Sequence, residues 1–168
     1  PIAMYSSAKV ASTYFLLTLH KTENFPSVVL RPFLIYGPNQ GKDRFIPQII
    51  MGCINDEKFP TSEGIQLRDF LFIDDFVDVV FMILKNKHVL GEIINIASGI
   101  PVSIRKVINI IVDTLKSGQP QFGQIKYRDG ENMKLYADIS KVKTLLNWRP
   151  KVDLETGIRK TIESNKSK

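Results

Sequence analysis

Tyr5 and Lys9 stand four residues apart in the stretch Met4-Tyr5-Ser6-Ser7-Ala8-Lys9-Val10. On a helix that spacing stacks them on one face, one turn apart. A phenol with its ordinary pKa of about 10 is a poor base at neutral pH. An ammonium held within about 4–6 Å favours the phenolate and lowers that value by roughly one to three units. A Tyr-x-x-x-Lys pair is therefore a proton-transfer device suited to an alcohol or a ketone. The same spacing also arises on helices whose tyrosine only packs, so the rest of the chain has to decide between the two.

Composition removes several other chemistries. Cys53 is the only cysteine, which excludes an internal disulfide and any multi-cysteine metal centre, and a reducing, cytoplasmic compartment is the expectation. His20 and His88 are the only histidines, so no metal site is expected. No apolar run approaches the roughly 20 residues of a membrane span, and nothing after Pro1 reads as a secretory signal, so no membrane partner is expected. The net charge of +6 sits almost wholly at the end of the chain, where eight basic residues from Lys141 onward face only Asp153, Glu155 and Glu163. With no aromatic platform among them, these read as a solvated helix face and tail, not as a nucleic-acid surface.

The elements that must position the pair alternate between helix and strand. A helix is expected from about Tyr5 to Leu19, with Ala11, Phe15 and Leu19 on its apolar stripe. The β-branched run Ser27–Arg31 reads as a strand buried on both faces, ended by Pro32, and Phe33–Tyr36 continues extended into the turn Gly37–Gly41. A helix over about Phe45–Asn55 and an extended segment over Gly64–Ile73 follow. Asp74 or Asp75 is expected to cap a helix over Phe76–Leu84 that is apolar on nearly every side and therefore buried. Gly91–Ala97 reads as a third strand, and Ser103 as the cap of a helix carrying Ile104, Val107, Ile108, Ile111 and Leu115. Ser117–Gly123 reads as a loop and Gln124–Arg128 as a short strand, before helices near Ile139–Leu146 and Leu154–Ser164. Such alternation means an α/β protein. About two parallel strands cannot form a self-sufficient sheet, so the sheet is expected to be completed elsewhere or by a longer chain.

The ordered series Tyr5-x-x-x-Lys9, Leu30-Arg31-Pro32-Phe33 with Tyr36-Gly37-Pro38, Arg68-Asp69-Phe70 with Ile73-Asp74-Asp75, Asn95-Ile96-Ala97-Ser98-Gly99 and Leu146-Asn147-Trp148-Arg149-Pro150 spans nearly the whole chain. It resembles the C-terminal half of an extended short-chain dehydrogenase/reductase of the NAD-dependent epimerase/dehydratase branch, which acts on nucleotide sugars. The resemblance implies the C-terminal part of a Rossmann-like parallel sheet plus a small α/β substrate-binding domain. Residues 1–38 would end the NAD(P)-binding domain and residues 39–168 would mostly form the substrate domain, with the strand near 92–97 returning to the Rossmann sheet. Members of this family begin with a glycine-rich strand–turn–helix that cradles the dinucleotide. That motif and the family's upstream catalytic Ser or Thr are not found in this sequence, so a longer parent chain is expected.

By resemblance, Tyr5 would take the proton from a sugar hydroxyl while hydride passes to NAD or NADP. Lys9 would bond the nicotinamide ribose and hold the tyrosine pKa down, and Pro32 would pass close to the nicotinamide. Arg68 and Arg128 would contact the diphosphate of a nucleoside-diphosphate sugar, work suited to a planar, permanent cation. Glu131 would bond the nucleoside ribose, and Tyr36 would line the sugar pocket or pack. The family's dyad helix also joins a homodimeric four-helix interface, so a homodimer is expected. Many relatives carry Asn where this sequence has Leu34, and a leucine cannot donate to a diphosphate. That departure leaves open a reductase acting on a non-nucleotide substrate, and the missing N-terminal half leaves open a non-catalytic nucleotide-sugar-binding module, against which the Tyr5–Lys9 pair argues. The family resemblance also implies that the dyad helix and the edge of the Ser27–Arg31 strand need partners beyond this stretch, and an apolar face or edge without one associates.

Overall fold

Helix α1 runs over Met4–Glu23, one turn beyond the expected Leu19. Its hydroxyl residues are accommodated because Ser12, Thr13 and Thr18 donate back to the carbonyls of Ala8, Lys9 and Tyr14 at 2.8–2.9 Å. Asn24, in the left-handed region at φ 53°, ends it. The computed structural model describes residues 4–166, so Pro1 and Lys168 of the basic tail lie outside it.

After the turn the chain runs as β1 (Val29–Pro32) and β2 (Leu34–Tyr36), which belong to different sheets. The strand β1 pairs in parallel with β5 (Ile93–Ile96), Pro32 lying opposite Ile96, and Phe33 N–H still donates to the Ile96 carbonyl at 3.0 Å. Pro32 therefore does not end the ladder; it only withholds one donor. The strand β2 pairs in parallel with β4 (Leu67–Phe72), which in turn carries β6 (Pro101–Ser103) antiparallel and β8 (Lys134–Leu135) parallel. A third small sheet joins β3 (Lys58–Pro60) to β7 (Gln119–Gln121). The expected strand over Gln124–Arg128 is absent, and part of the expected loop before it is β7 instead.

The pleat of β4 divides the interior. Phe70 and Phe72 face a core under α2 (Phe45–Ile54), α4 (Ile104–Leu115) and α6 (Leu154–Lys166), whereas Leu71 faces a second core under α3 (Ile73–Leu84) and α5 (Ser140–Leu146). Ser103 caps α4 as its type predicts, its Oγ accepting from Lys106 N–H at 3.2 Å.

Two expectations for helices are corrected. Helix α3 begins at Ile73 without a side-chain cap bond, because the buried Asp75 carboxylate accepts instead from the Lys151 and Val152 N–H groups, both at 3.0 Å. It is also not buried all round: Asp75, Val79 and Ile83 form its single buried line, while Phe81 is 58% exposed. Helix α1 has no buried residue, and Phe15 of its expected stripe is 63% exposed. The reason is the same in both cases. A helix buries only the face that a partner layer covers, and the two-stranded β1–β5 sheet is about one strand spacing, roughly 5 Å, across.

Gly157 of α6 lies against the sheet so closely that a Cβ there would come 2.1 Å from Tyr36 Oη and 2.9 Å from Phe72. Gly→Ala in a helix ordinarily adds about 0.5–1 kcal/mol of stability. Here overpacking, worth about 1–3 kcal/mol, should win, and Gly157→Ala should lower the thermal midpoint by several degrees. A raised midpoint would mean that Tyr36 moves aside freely.

Candidate functional site

Tyr5 lies in the first turn of α1 and Lys9 one turn on, with Lys9 Nζ 5.4 Å from the centre of the tyrosine ring. Both are exposed, Tyr5 at 73%. Helix α1 runs against the direction of β1: Ser27 Oγ, just before the strand, donates to the Leu16 carbonyl at 3.2 Å. At the far end of the strand, Lys9 and Arg31 line one groove of about 590 Å³. The dyad therefore stands at the carboxyl end of a parallel strand pair, where ligands of open α/β sheets bind. Pro32, exposed, closes β1 at that same end.

A second concavity, about 460 Å³, lies between β4, helices α2 and α4, and the segment Ile125–Glu131. Arg68, Arg128 and Glu131 all line it, although 60 residues of chain separate Arg68 from Arg128. The Arg68 guanidinium is largely buried. Its Nη1 donates to the Leu67 and Asn132 carbonyls, each at 2.7 Å, and its Nη2 donates to the Glu131 carboxylate. Arg128 makes no ion pair among the described residues. Lys126 adds a third cation to the wall, so three cations face one carboxylate and the cavity favours an anion. Leu34 forms part of the apolar wall and is 42% exposed.

Tyr36 is not on that wall. It is 2% exposed, edge-on to Phe70 and Phe72, and its hydroxyl donates to the Leu154 carbonyl at 3.3 Å. Burial pushes its phenol pKa up, with the Asp153 and Asp75 carboxylates adding to the shift. The pocket-lining alternative for Tyr36 gives way to packing, because its place in β2 turns it toward the core shared with α6.

Asp69 had no role in the sequence reading beyond its place beside Arg68, yet it is the most connected polar group near the site. Fully buried, its carboxylate accepts from Ser98 N–H at 2.8 Å, Ser98 Oγ at 2.6 Å, Gly99 N–H at 2.9 Å and Ala137 N–H at 3.4 Å. It ties β4 to the turn after β5 and to the approach to α5, and so holds the two cores in register. An aspartate inside an apolar strand was the available signal, since a buried charge demands such partners.

A family model described as GDP-mannose 4,6 dehydratase matches residues 1–161. The dTDP-glucose 4,6-dehydratase of Haemophilus influenzae is 28% identical over 97% of this chain and 52% of its own length. The UDP-glucuronate 4-epimerase of Thermodesulfobacterium geofontis is 31% identical over 99% of this chain and 51% of its own length. The crystal structure of UDP-glucuronic acid 4-epimerase from Bacillus cereus, in complex with UDP-glucuronic acid and NAD, superposes with a TM-score of 0.88 at 32% identity, over 99% of this chain and 54% of that one. The chain spans about half the length of the curated relatives it matches.

Proposed function

Because the chain belongs to the GDP-mannose 4,6 dehydratase family, we propose that it is the dyad-bearing, substrate-binding C-terminal part of an NAD(P)-dependent nucleotide-sugar epimerase or dehydratase. The observation that carries this reading is the exposed Tyr5–Lys9 pair at the carboxyl ends of β1 and β5. Residues 1–38, with the β5 strand returning beside β1, belong in this reading to the nucleotide-binding sheet, and most of residues 39–168 to the substrate domain.

Tyr5 Oη accepts the proton of a sugar hydroxyl, being open to solvent and unencumbered by packing. Lys9 and Pro32 hold the nicotinamide end of NAD or NADP, which supplies a hydride acceptor for the sugar carbon. Lys9 and Arg31, both exposed on the wall of the open groove, fit such an anionic ligand. Arg68 and Arg128 bind the diphosphate of the nucleoside-diphosphate sugar, and Glu131, now paired with Arg68, lies close enough to share that ligand with it. The working assembly is a homodimer packed through α1, in the cytoplasm.

The free edge of β1 fits this reading as well. Among the described residues β1 pairs only with β5. Its open side is flanked by the α1 groove and by a second groove of about 400 Å³ lined by Val28, Leu30, Val80 and Leu84. A further parallel strand with its helices fits that edge, and the half of the relatives that this chain does not match can supply it.

The test of the anion site is Arg68→Ala. A charge-assisted contact is worth about 1.5–3 kcal/mol, so calorimetry in the longer protein should show nucleoside-diphosphate affinity falling about tenfold or more. UDP, CDP, GDP and dTDP compared in one assay name the base. Unchanged affinity for all four would remove Arg68 from the site. It would also favour the reductase on a non-nucleotide substrate, to which the apolar Leu34 on the cavity wall is better suited.

A further inference from the structure

Helix α3 carries an apolar face that nothing in the described chain covers. Val77, Phe81 and Leu84 recur at i, i+4 and i+7 and are 42%, 58% and 75% exposed. At about 100° per residue, Val77 and Phe81 each lie about 160° round the helix from Val79, the centre of the buried line. The face therefore points away from the β1–β5 sheet. A strand added at the edge of β1 brings its helices beside α3 over the groove of Val80, Ile83 and Leu84. Such a layer lies on the sheet side of α3, beside Leu84, whereas Val77 and Phe81 point to the opposite side of the helix.

We propose that this outer face of α3 binds a second copy of the chain, helix antiparallel to helix, about a two-fold axis close to Phe81.

The charges along the face single out that partner. Asp74 is exposed at the start of the helix, and Lys85 and Lys87 are exposed at and just past its end. None of the three makes an ion pair among the described residues, whereas Asp78 is already taken by Lys151 Nζ at 2.7 Å. An antiparallel pair brings Phe81 against its mate, Val77 against Leu84 of the second copy, and Asp74 toward Lys85 and Lys87 of the second copy. A parallel pair would set Asp74 on Asp74 and lysine on lysine. The spacing 74, 77, 81, 84 is the three-four alternation with which two helices interlock. A pattern complementary to itself under a two-fold rotation is the mark of an isologous interface. The 12-residue helix is about 18 Å long. A contact of that length lies at the small end of specific interfaces, so the dimer is weak and concentration-dependent.

Cysteine cross-linking reads this surface directly. Native Cys53 is silent, since it is fully buried and desolvation, reinforced by Asp56, pushes its thiol pKa up to about 11. Phe81→Cys, near the axis, should form a disulfide dimer under mild oxidation. It should do so at least about tenfold faster than Ile100→Cys, a control elsewhere that is the more exposed of the two, because prior association makes the reaction effectively intramolecular. In sedimentation, Phe81→Asp should abolish the α3 dimer. Asp74→Lys should weaken association, and adding Lys85→Asp and Lys87→Asp to it should restore association, which no generally sticky surface would do. Equal cross-linking rates at positions 81 and 100 overturn the proposal. So does an assembly whose size and concentration dependence are the same in Phe81→Asp as in the parent, because the α3 face would then add nothing to whatever α1 or the β1 edge holds together.

Discussion

Tyr5→Phe, made in the protein that joins this chain to a nucleotide-binding half, is expected to leave NAD(P) affinity unchanged and to lower turnover by about 10²–10⁴, the usual worth of a positioned acid or base. The substitution removes one oxygen from a side chain that is 73% exposed and packs against nothing in a core. No loss of folding can then be mistaken for a loss of chemistry. Lys9 stays in place, so the positive charge beside the groove is kept and only the proton acceptor goes. Turnover and cofactor titration measured on the same preparation separate the two functions. Turnover within a few-fold of the parent would assign the proton transfer to another group and reduce Tyr5 to a surface residue.

The largest effect on stability should come from Asp69→Ala. The carboxylate receives the N–H groups of Ser98 and Gly99 inside the protein, and alanine offers them nothing. Each donor shielded from water and left unpaired costs about 1–3 kcal/mol, and the buried Ala137 N–H loses its acceptor as well, whereas the Ser98 hydroxyl still has the Ile100 carbonyl beside it. A total of about 3–5 kcal/mol corresponds to a fall in the thermal midpoint on the order of 10 °C for a chain of this size. Ser98→Ala is the internal scale: it removes the hydroxyl's bonds to Asp69 and to Ile100 but leaves the carboxylate its backbone donors, and should cost about 1–2 kcal/mol. Should the two variants melt together, the Asp69 carboxylate would not be what joins β4 to the turn after β5.

What the residues determined alone was local, because the physics that sets it is local. Tyr5 and Lys9 meet because four residues make about one helical turn, wherever that helix lies. Ser103 caps α4 because its own hydroxyl reaches the N–H three residues on. The α/β alternation follows from the same short-range periodicities, and the motif series Tyr5 to Pro150 placed the family before any coordinate did.

The tertiary structure decided whatever depends on a partner far along the chain. The three-residue strands β3 and β7 exist only through each other, Lys58 pairing with Gln119, and neither run has the pattern to announce itself. Asp75 looked like a cap, but the Lys151 and Val152 N–H groups 76 and 77 residues away claimed its oxygens. Asp69 became a junction for the same reason, and Tyr36 a core residue because α6 closes over β2 with Gly157 against its hydroxyl. The apolar residues of α1 and α3 show the limit most plainly. A hydrophobic face records that something is to be covered, and only the layer packed against it determines which side of the helix that is.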